Sequence, residues 1–306
     1  MILITAPVHH FFIDTLSEKG IDFLYEPNMR YAQLLEKIEL ATGLVVSTHI
    51  KIDRNLIDHA IHLKWIGRLG SGMEHIDVAY AKSKKIICES SPEGNCNAVA
   101  EHALGLLLNF YRNINTSIVQ VKNNKWLRGE NRGTEISGKT IGIIGYGHTG
   151  SAFARLLSAF NVTILAYDKY KTGFGNEFVT ESTEDEIVKY ADVISLHLPL
   201  TTETTHFVNN AFFSKLKKQP IVINTSRGSV IDSLALIHAI ESRLISGALL
   251  DVLENEKIDT YTPEEKQVFE TLNSFDNVMI TPHIAGYSHE ATYKMSKVLL
   301  EKIGII

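Results

Sequence analysis

Three short polar segments each follow an apolar run, and together they hold a guanidinium, several carboxylates and an imidazole. They read Asn224-Thr225-Ser226-Arg227-Gly228, Asp251-Val252-Leu253-Glu254-Asn255-Glu256 and Thr281-Pro282-His283-Ile284-Ala285-Gly286. An imidazole that titrates near neutral pH can take or return a hydroxyl proton, which suits His283 to acid/base work. A carboxylate bonded to its far ring nitrogen would fix the tautomer and raise its pKa. Glu256 is the candidate for that carboxylate and Glu254 its rival. Arginine offers a fork of N–H donors matched to a carboxylate, which makes Arg227 the clamp for an acidic substrate. As a set these groups suit the dehydrogenation of a hydroxy acid.

A second motif supplies the missing redox partner. Residues 141–150 end in Gly145-x-Gly147-x-x-Gly150 after an apolar, strand-like run, and Asp168 closes a second apolar run, 168 − 150 = 18 residues further on. This spacing predicts a strand, a tight glycine turn and a helix whose N-terminal N–H groups receive a pyrophosphate. The Asp168 carboxylate would accept hydrogen bonds from an adenosine ribose and repel a 2'-phosphate, so the expected cofactor is NAD rather than NADP.

Positioning such loops requires parallel strands that end at one level. Apolar runs alternate with helical patterns along the whole chain, which predicts an α/β protein. The first series is Ile2 to Thr5, Phe23 to Tyr25, Leu44 to Val46, Trp65 to Leu69 and Ile86 to Cys88, with helical patterns such as Tyr31 to Ile38 and Arg54 to Ala60 between. It reads as a flavodoxin-like α/β domain. One helix is expected from Asn97 to about Val121, with His102 as a packing residue on its apolar stripe. The second series is Thr140 to Gly145, Val162 to Tyr167, Val193 to Leu198, Ile221 to Asn224, Gly247 to Val252 and Val278 to Thr281, enough for a Rossmann-type doubly wound parallel sheet. A last helix, Glu290 to Ile303, is expected to return to the first domain. The expected division is residues 1–97 with 286–306 as a discontinuous substrate domain and 98–285 as the NAD domain. The active site is expected in the cleft between them.

Composition narrows the class. At 44% hydrophobic and 21% charged, the 306 residues are those of an ordinary globular protein. A net charge of −5 argues against nucleic acid as the main partner. No apolar run is long enough to span a bilayer, and no secretory signal is evident. Two cysteines, Cys88 and Cys96, make neither a disulfide framework nor a metal site, which fits a reducing cytoplasm. His206, with His9, His10, His59 and His62, is expected to be a surface or packing residue.

The three segments and the glycine fingerprint together resemble the D-isomer-specific 2-hydroxyacid dehydrogenase family over nearly the whole chain. The resemblance implies that Arg227, Glu256 and His283 are the catalytic arginine, acid and histidine, and that Asp251 contacts the nicotinamide carboxamide. It extends the NAD contacts to His148, Thr149, Thr225, Ser226, Arg227, His283 and Gly286, and to the loop His197-Leu198-Pro199-Leu200-Thr201-x-x-Thr204. Backbone N–H groups of Gly70, Ser71 and Gly72 would hold the substrate carboxylate. Ser91-Pro92-Glu93-Gly94-Asn95 and Lys125-Trp126-Leu127-Arg128 resemble the 3-phosphoglycerate branch, where an arginine at the place of Arg128 lies near the substrate. Ser47 departs from that branch, since it stands where a phosphate-binding arginine is common, and leaves Lys51 as the nearby cation. The resemblance thus implies a 2-hydroxy or 2-oxo acid substrate, 3-phosphoglycerate first and glyoxylate or hydroxypyruvate second, and a homodimer. A non-catalytic NAD-sensing corepressor on the same fold is the rival of another class. The serine-sensing domain of longer relatives is not expected.

Overall fold

Apolar runs flanked by helices become strands, the central ones buried on both faces, and here they pair in parallel throughout. The computed structural model describes all 306 residues. The chain divides into two units, Met1–Ala98 with Gly286–Ile306, and Val99–Ala285.

In the first unit the strands are β1 Ile2–Ile4, β2 Phe23–Tyr25, β3 Gly43–Val46, β4 Trp65–Arg68 and β5 Ile87–Ser90, in the order β2-β1-β3-β4-β5. That order is the flavodoxin-like one. The C-terminal helix His289–Lys302 packs here, its Leu299 and Leu300 fully buried with Ile2, Ile4, Phe12 and Leu16.

In the second unit the strands are β6 Thr140–Ile144, β7 Thr163–Tyr167, β8 Val179–Glu181, β9 Val193–Leu196, β10 Ile221–Asn224, β11 Gly247–Leu250 and β12 Val278–Ile280. Their order, β12-β11-β10-β9-β6-β7-β8, reverses direction of growth at β6, as in a doubly wound dinucleotide-binding sheet. The register matters most. Tyr167, Ile144, Leu196, Asn224, Leu250 and Ile280 lie side by side across six strands. The next residues, Asp168, Gly145, His197, Thr225, Asp251 and Thr281, therefore leave the sheet at one level, along its carboxyl edge.

Two details differ from the sequence reading. The expected single helix from Asn97 to Val121 is two helices, Pro92–Arg112 and Ile114–Lys122, broken at Asn113 with φ 53°. It also starts earlier, because the fixed φ of Pro92 suits a first helical position. The short strand β8 was not expected. Only Val179 of its three residues is buried, so it lacks an apolar run.

Candidate active site

The cofactor turn is built by close approaches that exclude side chains. Gly145 has φ 94°, and a Cβ there would lie 2.4 Å from the His197 carbonyl oxygen. A Cβ on Gly150 would lie 2.1 Å from the Gly145 carbonyl oxygen, so the helix His148–Leu157 starts flush against the turn. Gly147 faces open space and is the N-cap, and no side chain caps that helix. His148, Thr149 and Gly150 form the first turn, the arrangement that receives a pyrophosphate. Asp168 is fixed beside it: Tyr146 N donates to its Oδ2 at 2.8 Å, and Tyr170 N and Lys171 N donate to Oδ1.

The neighbouring loops supply the rest of the cradle. Leu198 borders Gly145. The Thr204 hydroxyl donates to the Pro199 carbonyl at 2.6 Å and so closes its own loop. The His197 ring turns inward: Nε2 pairs with Ser195 Oγ at 2.9 Å, and burial pushes its pKa down to about 4, so it is neutral. His197 borders the turn with its main chain, the carbonyl oxygen being the atom nearest a Cβ on Gly145. Its buried Nδ1 and the buried Thr225 hydroxyl have no hydrogen-bond partner in the protein. Buried polar groups are seldom left so, and the Thr225 hydroxyl, on the first residue past β10 at the carboxyl edge, fits a polar cofactor.

His283 and Glu256 meet directly, with Nδ1 2.8 Å from Oε2. This bond holds the His283 pKa above its usual value, against partial burial and the nearby Arg227 guanidinium, both of which lower it. Glu254 is committed elsewhere, to His206 Nε2 at 2.8 Å and Ser233 N at 3.0 Å. The two acids thus have different partners, and His206, its side chain 43% exposed, is a surface residue. Arg227 is aimed by Asn224, whose Oδ1 accepts from Ser226 N and Oγ and whose Nδ2 donates to the Arg227 carbonyl. A Cβ on Gly228 would lie 1.9 Å from the Leu253 carbonyl oxygen, so the arginine loop and the acidic loop touch backbone to backbone.

Sequence reasoning assigned no role to Asn224 or Thr281. An Asn two residues before a serine in a turn was the available signal for the first. Arg128 is exposed on the irregular stretch after Lys122 and does not join the hydrogen-bonded set around His283. In the first unit, Gly70 has φ 124°, and its N–H donates to the buried Ser91 hydroxyl at 3.1 Å, leaving Ser71 exposed on the loop. Gly286 belongs to that unit. Ser47 Oγ pairs with His49 Nδ1 at 2.8 Å just past β3. The Tyr80 backbone N–H and the Arg54 guanidinium lower the Asp77 carboxyl pKa, and the Lys51 charge adds least.

Residues 104–285 match the profile described as D-isomer specific 2-hydroxyacid dehydrogenase, NAD binding domain. The chain is 36% identical, over 99% of its length, to a D-3-phosphoglycerate dehydrogenase of Methanocaldococcus jannaschii, of which it spans 56%. It is 37% identical, over 89% of its length and 86% of the relative, to a hydroxypyruvate reductase of Thermotoga maritima. Among solved structures, a D-lactate dehydrogenase from Aquifex aeolicus complexed with NAD and lactic acid superposes with a TM-score of 0.86 at 28% identity, covering 99% of this chain and 94% of that one.

Proposed function

Because the chain belongs to the D-isomer specific 2-hydroxyacid dehydrogenase family and carries its NAD-binding domain, we propose that it exchanges a hydride with C2 of a D-2-hydroxy acid. NAD, when bound, supplies the hydride acceptor. Arg227 holds the substrate carboxylate, with the Ser71 and Gly72 amides as its second set of donors, the Gly70 N–H being taken by Ser91, and Arg128 is a further candidate for substrate contact. His283 takes the hydroxyl proton in oxidation and returns it in reduction, while Glu256 keeps the opposite nitrogen protonated and the ring oriented. The 2.8 Å His283–Glu256 bond carries this reading. The Asp168 carboxylate accounts for a preference for NAD.

Within that chemistry the first substrate reading is 3-phosphoglycerate and its 2-oxo partner. The second is glyoxylate or hydroxypyruvate, favoured by one observation: just past β3, Ser47 and His49 are paired with each other. Specificity constants for 3-phosphohydroxypyruvate and hydroxypyruvate decide between them. A clear preference for the phosphorylated acid supports the first reading, and the reverse order replaces it by the second.

A homodimer is proposed through the helix Ile114–Lys122, which has no buried residue and exposes Ile118 and Val121, and through Trp126, 83% exposed. A reducing, cytoplasmic setting accords with the unpaired Cys88 and Cys96.

A further inference from the structure

His283 adopts a left-handed backbone, φ 54°, without being glycine. That conformation is disfavoured for a residue bearing a Cβ, so its surroundings must enforce it. The enforcing group is Asp251. Its carbonyl accepts from His283 N at 2.8 Å, and its carboxylate accepts from Ile284 N at 3.0 Å and Ala285 N at 2.7 Å. The Thr281 hydroxyl completes the set, 2.5 Å from Oδ1. Asp251 is 1% exposed, so the carboxylate acts on the turn rather than on solvent.

The orientation of the Thr281 hydroxyl is the weak point of this clamp. It has one proton, and Asp251 needs it. A donor to the hydroxyl oxygen removes the alternatives, and His102 Nε2 lies within reach, 3.0 Å from Thr281 Oγ1 and 3.5 Å from Asp251 Oδ1. Since the hydroxyl proton is committed, this contact requires a proton on His102 Nε2. We propose that His102 is a positioning residue for His283: its Nε2–H locks the Thr281 hydroxyl onto Asp251, which holds the 281–285 turn in its left-handed form. His102 lies in the middle of the helix Pro92–Arg112, 179 residues from Thr281 in sequence, and its ring bonds to Thr281 rather than to His283. A packing histidine at this place would need shape only, whereas this role needs a donor.

The proposal rests on the reading of His283 as the acid/base group, and its tests separate the two. Nitrogen-15 spectra of the wild-type imidazoles should show His102 as the Nε2–H tautomer; an Nδ1–H tautomer overturns the proposal whatever the activity. His102→Leu should lower kcat by roughly ten- to hundredfold, the scale of a small misplacement of a reacting group, with much less change in KM. In the same spectra the His283 titration should fall toward the ordinary histidine value. His102→Gln, which keeps a donor at the Nε2 place, should restore most of both. Equal losses in the Leu and Gln variants, or wild-type behaviour in His102→Leu, overturn it. If His102→Leu fails to fold, the Gln variant and the tautomer decide.

Discussion

Two turns on the carboxyl edge of one sheet leave ordinary backbone space, and they do so by opposite means. After β6 the chain uses Gly145 at φ 94°, where the cradle requires that no side chain be present. After β12 it uses His283 at φ 54°, where the proposed chemistry requires one. The first turn is specified by an absence, and a short motif encodes it. The second is specified by a network of Asp251, Thr281 and His102 that the sequence scatters over 179 residues. A cofactor cradle can thus be local, whereas a strained catalytic side chain needs support from distant parts of the fold.

The comparison predicts that damage to the two turns separates chemistry from cofactor binding. The largest effect belongs to His283→Ala, which should lower kcat by roughly two to four orders of magnitude while leaving NAD affinity nearly intact, as read by steady-state kinetics and NAD titration. Gly145→Ala should do the reverse. A positive-φ alanine driven into the His197 carbonyl costs roughly 1–3 kcal/mol, so NAD binding should weaken about ten- to hundredfold while kcat at saturation changes less. If instead Gly145→Ala spares NAD affinity and lowers kcat, the separation fails.

The smallest and most specific effect is that of Glu256→Gln. The carboxylate raises the His283 pKa, and reduction uses the protonated imidazole, so the alkaline limb of the reductive pH profile lies at that raised value. The variant should move this limb to lower pH, and an unmoved limb would remove Glu256 from the role. The same shift stabilises the fold below the unfolded histidine pKa, about 6.5, and the benefit is lost as pH rises through the folded value. With the His283 and Glu256 side chains 46% and 41% exposed, screening keeps that contribution within about 0–1 kcal/mol. Titrating stability against pH should therefore show little difference between wild type and Glu256→Gln.

The parallel strands were legible because burial on both faces demands continuous apolar runs, and the glycine turn because close backbone approach leaves only one residue type. The Glu254 and Glu256 alternatives were not separable from sequence, since both lie in one acidic segment and their partners, Ser233 N and His206 for one and His283 for the other, come from distant loops. The break at Asn113 was hidden by an apolar periodicity that runs through Phe110 and Ile114 across it. Spacing put His102 on the apolar stripe of its helix, and nothing local signals that the stripe meets Thr281 there.

The most direct test of the account gives the purified protein NADH with hydroxypyruvate or 3-phosphohydroxypyruvate, follows the NADH consumed and resolves the enantiomer of the product. The predicted result is one D-2-hydroxy acid formed for each NADH oxidised. An L product, or NADH that binds but is not consumed with any 2-oxo acid, would contradict it.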